Sequence, residues 1–249
     1  MENLATLDYW IKAQGELSIY LNENNIIENW INENLHDKNI ETSIEIGCYP
    51  GKFLTVLGKK GVEVNGIDYI PEVTSMGEIF KRNGYNVGEF INADFTKFKS
   101  EKKYDCVMSF GFLEHFINWE EIFEMHLKLV GDNGYVIIEV PNFKGILQKL
   151  PRYIFDHQNY KRHNIDSMNL KEWNRILEKN EFEIISSCYF GGYDLWFEQY
   201  WENKYIQKAK KVLIRGLKIA RNRFYKKSLE HSSFSCVMGV IARRKAKNY

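Results

Sequence analysis

The sequence predicts an α/β protein: a doubly wound, mostly parallel seven-stranded sheet with an antiparallel last strand, a helical cap before it and helical insertions. Three observations carry this. Short runs rich in β-branched residues alternate with segments of helical length, and Gly or Pro stands where the helices should stop. Parallel neighbours need crossover connections, which are nearly always helical, so strict alternation argues for a sheet covered on both faces. The last two apolar runs are joined by a helical detour with no helix after the second, which suits an antiparallel addition at the end.

Taken in order, "NNIIENWINENL" reads as a helix, with Asn25 and Glu28 spaced like a capping box. Five strands follow: "TSIEIG" (42–47), "VEVNGID" (62–68), "NVGEFIN" (86–92), "YDCVMSF" (104–110) and "GYVIIEV" (134–140). Between them, "GKFLTVLGKK" closes at Gly61, "PEVTSMGEIFKR" opens at Pro71 and closes near Gly84, and "WEEIFEMHLKLV" closes at Gly131. From Pro141 to Met168 the chain is aromatic and basic and shows no helical pattern. Asn169 and Glu172 form a second box-like pair, after which Leu170, Trp173, Ile176 and Leu177 make an apolar stripe. A sixth strand at "FEIISSCYF" (182–190), a helical insertion over 194–229 and a last strand at "SFSCVMGVIARR" (233–244) complete the pattern. No repeat, linker or composition break divides the chain, so 1–249 reads as one domain.

Composition fits an ordinary soluble globular protein, with 44% apolar, 15% aromatic and 27% charged residues. Apolar runs are short and interrupted by charge, and Met1 is followed by Glu2, Asn3 and Asp8, so neither a signal peptide nor a membrane span is expected. Cys48, Cys106, Cys188 and Cys236 form no C-x-x-C pair, which points to reduced thiols, no metal and a cytoplasmic protein. The net charge of +1 hides an asymmetry: residues 203–229 hold ten Lys and Arg and no Asp or Glu. There Ile206, Ala209, Leu213, Leu217, Ala220 and Phe224 recur at helical spacing, predicting one apolar stripe on a strongly basic helix.

The loop "EIGCYPGKF" runs from strand to helix but is no dinucleotide fingerprint, because Tyr49 and Lys52 occupy positions that G-x-G-x-x-G reserves for glycine. That disfavours a nicotinamide dehydrogenase. Instead an acid marks each of the first three strand ends: Glu45 before Gly47, Asp68 closing the second strand and Asp94 after the third. In a doubly wound sheet these ends converge on the crevice outside the carboxyl edge. S-adenosylmethionine carries no phosphate. Its sulfonium, ammonium, ribose diol and adenine call for acceptors and a flat apolar slot, and an acid at the second strand end can take both ribose hydroxyls.

At this point the sequence resembles the class I S-adenosylmethionine-dependent methyltransferases, which have a Rossmann-like fold, and within them the small-molecule O-methyltransferase type. The resemblance is carried by "EIGCYPG", "GIDYIPE", "NADFTKF", "YDCVMSFGFLEHF" and "GDNGYVIIEVPN" and covers roughly residues 40 to 190. It departs at Tyr49, where glycine is commoner, and across 194–229. It implies a cofactor-binding core over 38–190 with an acceptor segment at 141–168, an N-terminal helical cap at 1–37, a basic helical insertion at 194–229 and a last strand at 233–244. It implies that Gly47 and Gly51 let the backbone approach the methionine part, Glu45 holds the loop or the amino group, Asp68 binds the ribose and Asp94 accepts from the adenine amino group beside Phe95. Cys48, Tyr49 and Tyr69 join these as cofactor contacts, with Phe110 and Gly111 beneath. His115 would face the acceptor, and His163 is the second catalytic candidate; His157 reads rather as a surface histidine, while Tyr9, Trp10 and Tyr20 read equally as a cap on the site or as anchors of the N-terminal helices.

Methyl transfer is an in-line displacement, and aligning acceptor, methyl and sulfur in a dry site can supply roughly 7 to 11 kcal/mol. A hydroxyl acceptor also needs a general base, a role for a histidine, whereas a phosphate-like oxygen needs none. The residues "SFGF" replace the N-P-P-F/Y loop of nucleic-acid amino-methyltransferases, and no Pro-Cys nucleophile follows, so nucleic acid is not the expected partner. The expected acceptor is a small molecule, phosphorylated or nucleotide-linked. Frequent Lys, Asn and Ile match an AT-rich bacterial gene, and with it a surface-polysaccharide precursor. Transfer RNA, a lipid-linked acceptor or a non-enzymatic binding module are the alternatives, and the basic insertion suits an oligomer contact or a peripheral membrane contact.

Overall fold

The chain, analysed as a computed structural model, is described for residues 3–13, 19, 21, 25–35, 39–197, 204–224 and 230–246. Helices α1 (Leu7–Ala13) and α2 (Ile26–Asn34) precede a sheet built from β1 (Thr42–Ile46), β2 (Glu63–Asp68), β3 (Val87–Asn92), β4 (Tyr104–Phe110), β5 (Val130–Pro141), β6 (Phe182–Phe190) and β7 (Val237–Arg244). The strand order is β3-β2-β1-β4-β5-β7-β6. Strands β1 to β5 pair in parallel, while β7 lies antiparallel to both β5 and β6. The seven-stranded, mostly parallel sheet with an antiparallel last strand is therefore the one the alternation predicted.

Period-two alternation explains why helices coat both faces. On β5, Val136, Ile138 and Val140 enter one core while Tyr135 and Ile137 enter the other; on β7, Met238, Val240 and Ala242 oppose Val237 and Ile241. Helices α5 (Trp119–Leu129) and α8 (Leu170–Lys179) cover the first face through Ile122, Phe123, Trp173 and Leu177. On the second face lie α2, α3 (Leu54–Gly58) and α4 (Val73–Arg82), through Trp30, Ile31, Leu54, Leu57, Met76 and Phe80.

Asn25 and Asn169 do cap their helices, accepting from Ile27 and Glu28 backbone N–H groups and from that of Lys171 respectively. Their partners Glu28 and Glu172 instead pair with Lys59 at 3.1 Å and Arg175 at 2.7 Å. Some boundaries shift. Helix α3 is a short piece that ends before Gly61, β5 begins at Val130 directly after α5, and β7 begins at Val237, because Phe234 and Ser235 both donate to the His231 carbonyl in a turn.

One expectation needs correction. Residues 141–168 are not helix-free: they form α6 (Ile146–Phe155) and α7 (His157–Lys161), although Pro151 lies inside α6. Proline removes the donor that the Leu147 carbonyl would use, and the Tyr193 hydroxyl takes that carbonyl instead, at 3.1 Å. In the basic insertion the expected helix is α9 (Lys204–Phe224), and of its stripe Ile206, Leu213 and Leu217 are half-buried and Ala209 is exposed. The side chains of Lys218, Ala220, Arg221, Arg223 and Phe224 lie outside the described residues, as do Lys226, Lys227 and Tyr20. Among the described residues no helix is long and apolar enough to cross a membrane.

Candidate active site

The strand order reverses between β1 and β4, which are parallel neighbours, and such a switch point leaves a crevice at the carboxyl ends of the strands. A cavity of ≈ 770 Å³ occupies it, a size suited to a cofactor together with a small acceptor. Glu45, Gly47, Cys48, Tyr49, Gly51, Asp68, Tyr69, Asp94, Phe95, Phe110, Gly111 and His115 all line it. His163 stands behind His115, with ring centroids 4.7 Å apart, and His157 packs edge-on against Tyr153 instead.

The loop after β1 is fixed by its glycines. Gly47 and Gly51 have φ of 70° and 90°, which side chains resist, and a Cβ would stand 2.5 Å from Phe112 at Gly47 and 2.5 Å from Met76 at Gly51. Close packing beneath the loop thus demands glycine as much as any ligand does. Cys48 is buried against Gly66, so its thiol serves the core as well as the cavity wall.

The three acids differ in state. Glu45 is 2% exposed and its Oε2 has no hydrogen-bond partner; burial, then the neighbouring Asp68, push its carboxyl well above the usual range. Such an oxygen beside a cavity is a fitting acceptor for a cationic ammonium. Asp68 accepts from Tyr49 N–H at 2.9 Å and Ile70 N–H at 3.0 Å, tying the β1 loop to the end of β2. Burial raises its carboxyl despite these bonds. Asp94 caps the one-turn helix Phe95–Lys97, accepting from Thr96 N–H and Oγ1–H. Although burial acts upward, the Thr96 bonds and Lys97 outweigh it and hold Asp94 below the usual range.

His115 belongs to the one-turn helix Leu113–His115 after β4 and is nearly enclosed. Its Nδ1 lies 2.9 Å from the Arg162 carbonyl, and burial lowers its pKa to about 4. The N-terminal segment closes this end: Leu4 N–H donates to the His115 carbonyl, Asn3 bridges Phe116, and the Trp10 ring sits edge-on to His115 at 4.8 Å. Trp10 lines the cavity, whereas Tyr9 packs on Trp10 and under the Arg162 guanidinium, 4.0 Å away. Sequence reasoning missed Glu114, which is 1% exposed between His115 and His163. The signal was in plain view in "LEHF", but only the fold brings His163 to it.

The strand order, the switch-point cavity and the acids at its strand ends define a class I methyltransferase fold with a Rossmann-like sheet. A sequence model of the methyltransferase domain matches residues 21–187, well over half of the chain, and the protein belongs to the S-adenosylmethionine-dependent methyltransferase family. It is a methyltransferase that uses S-adenosylmethionine and releases S-adenosylhomocysteine. No curated protein matches it. Among solved structures, an S-adenosylmethionine-dependent methyltransferase from Archaeoglobus fulgidus is similar with TM-score 0.55 and 18% identity over 88% of this chain and 93% of its own. The N-methyltransferase NodS from Bradyrhizobium japonicum, solved with S-adenosylhomocysteine, has TM-score 0.52 and 12% identity over 97% and 94%. Magnesium protoporphyrin IX methyltransferase from Synechocystis, solved with S-adenosylmethionine, has TM-score 0.52 and 14% identity over 88% and 77%. At these identities the likeness is one of fold.

Proposed function

We propose that this protein methylates an oxygen of a small-molecule acceptor, holding S-adenosylmethionine across the ends of β1, β2 and β3. The cofactor supplies a methyl carbon already activated by its sulfonium. Glu45 faces the ammonium, Asp68 the ribose hydroxyls and Asp94 the adenine amino group, with Phe95 along the ring. Gly47 and Gly51 shape the loop, while Cys48, Tyr49, Tyr69, Phe110 and Gly111 wall the slot. One observation carries the oxygen reading: a neutral, buried His115 lines the same cavity as the cofactor acids. An amine is nucleophilic once neutral, but a hydroxyl needs its ionisation promoted at the site. His115, with His163 behind it, is the group we place at the acceptor oxygen.

Calorimetry and product mass spectrometry test this together. Asp68→Ala is expected to weaken S-adenosylhomocysteine binding by ~1.5 to 3 kcal/mol, the worth of hydrogen bonds to a charged acceptor. His115→Ala is expected to abolish turnover with a small-metabolite extract while leaving cofactor affinity in place. A methylated nitrogen, a methylated transfer RNA or a fully active His115→Ala enzyme would overturn the oxygen reading. Failure to bind either form of the cofactor would point to a binding module.

A specific surface favours a lipid-linked acceptor, such as a sugar hydroxyl or phosphate-like oxygen on a surface-polysaccharide precursor. Helix α6 exposes Ile146, Leu147, Leu150, Tyr153 and Ile154 along one face, and α9 exposes Lys204, Lys208, Lys211 and Arg215 beside Tyr205 and Val212. Apolar side chains flanked by bases suit the plane of an anionic bilayer, where each base adds about 1 kcal/mol. Co-sedimentation with phosphatidylglycerol vesicles is expected for the wild type and not for a Lys208, Lys211, Arg215 triple alanine variant or for Leu150→Asp. Equal sedimentation of all three proteins would remove the membrane reading.

A further inference from the structure

Behind the cavity wall three donor atoms converge. Glu114 Oε1 lies 3.7 Å from His115 Nε2 and 4.0 Å from His163 Nε2, and the three donors stand within 4.8 Å of one another. The backbone fixes both imidazoles. His115 Nδ1 is 2.9 Å from the Arg162 carbonyl and His163 Nδ1 is 2.7 Å from the Asn159 carbonyl. A carbonyl only accepts, so each Nδ1 carries the hydrogen and each Nε2 keeps a lone pair on the side of Glu114. The separations are too long for hydrogen bonds, and Glu114 Oε2 is buried with no partner at all.

We propose that Glu114, His115 and His163 bind a divalent transition-metal ion, Zn²⁺ or a like cation, with an open position towards the cofactor cavity. Two imidazoles and one carboxylate with a vacant position form a donor set of catalytic zinc sites, and backbone carbonyls on the far ring nitrogens are the usual outer support. Metal bonds of about 2.0 to 2.1 Å in tetrahedral array set donors roughly 3.4 Å apart, so the two shorter separations need only small side-chain shifts. His115 and Gly111 line the cavity, and Gly111 lies against Glu114, where a Cβ would stand 3.6 Å from Oε1. Burial favours the unprotonated form of both imidazoles, the form that ligates, but equally the protonated form of Glu114, whose proton must leave when an ion binds. Arg152 and Arg162 oppose a cation at His163. The cysteines, on which the expectation of no metal was based, take no part.

The consequence for catalysis rests on the hydroxyl-acceptor reading; the binding itself does not. An ion here would polarise the acceptor hydroxyl and lower its pKa, so that His115 acts on the acceptor oxygen through the ion it holds. The O–H bond breaks and its proton leaves to solvent, the oxygen–methyl bond forms, and the sulfur–methyl bond breaks with its electron pair returning to sulfur.

The test is calorimetric titration of chelator-stripped protein with Zn²⁺, with Co²⁺ absorption as a second readout and S-adenosylhomocysteine affinity measured in parallel. One ion per chain is expected, with a Co²⁺ spectrum of nitrogen and oxygen donors and no thiolate charge-transfer band. Glu114→Gln and His163→Ala are expected to weaken binding by at least the roughly 10- to 100-fold that loss of an outer-shell support costs, with cofactor affinity retained. Glu114→Gln is isosteric and decides the matter if His163→Ala does not fold. Wild-type protein that takes up no ion, variants that bind as wild type, or a thiolate spectrum would each overturn the site. Metal binding without cofactor binding would instead count against the methyltransferase assignments and leave this site standing.

Discussion

Glu139→Gln isolates the protonation of a buried carboxyl on β5. Glu139 lies on β5, 5% exposed, and burial pushes its carboxyl up to about 8. In the unfolded chain it titrates near the ordinary carboxylate value. Between the two, the folded state holds a proton that the unfolded state has lost, so stability falls as pH rises. From pH 5 to pH 8 this linkage amounts to roughly 3.5 kcal/mol. Glutamine keeps the size and a neutral polar head and removes the titration. Urea unfolding in chelator, followed by tryptophan fluorescence at several pH values, should show the stability of the variant minus that of wild type growing by about 3 kcal/mol over that span. His115, His126 and His163 act in the opposite sense: burial lowers their folded pKa values, so their contribution is present above about 6.5 and is lost as pH falls through about 4 for His115 and His126. They titrate in both proteins and cancel in the difference. A difference independent of pH would refute the reasoning, because it would mean that Glu139 is ionised in the folded protein.

Three further outcomes follow from named contacts. Gly47→Ala must place a Cβ at φ 70° and 2.5 Å from Phe112, so a loss of about 1 to 2 kcal/mol for the backbone alone is expected by thermal melting, with weakened S-adenosylhomocysteine binding. Trp10→Ala removes the ring that sits 4.8 Å from His115; turnover should drop while the urea midpoint moves by less than about 0.5 kcal/mol equivalent, since Trp10 is only half-buried. Trp173→Ala empties a fully buried site and leaves the Ser167 carbonyl without its indole donor; a loss of about 3 to 5 kcal/mol is expected by urea unfolding.

The fold was legible because its cause is periodic. Residues such as Val136, Ile138 and Val140 alternate with Tyr135 and Ile137 along a single strand, and that local pattern requires helices on both faces whatever the rest of the chain does. The acids at the strand ends were legible for the same reason: once β1, β2 and β3 are parallel neighbours, Glu45, Asp68 and Asp94 follow each strand to one edge. Helix α6 was hidden because Pro151 is a local break signal, and the hydroxyl that satisfies Leu147 belongs to Tyr193, more than forty positions on.

By itself, then, the sequence determined the alternation of strands and helices and the edge at which the acids gather, both of which depend on spacing within short segments, while the reaction class came from the family resemblance those segments carry. Only the tertiary structure decided what surrounds His115. Its neighbours Trp10, Arg162 and His163 lie more than forty positions away on either side of it, and their separation in sequence carries no period to read. Burial then sets its chemistry. An imidazole that would titrate near neutrality in water is held neutral beside Glu114, because a low-dielectric interior disfavours its charged form, and dielectric is a property of the folded surroundings and not of the residue.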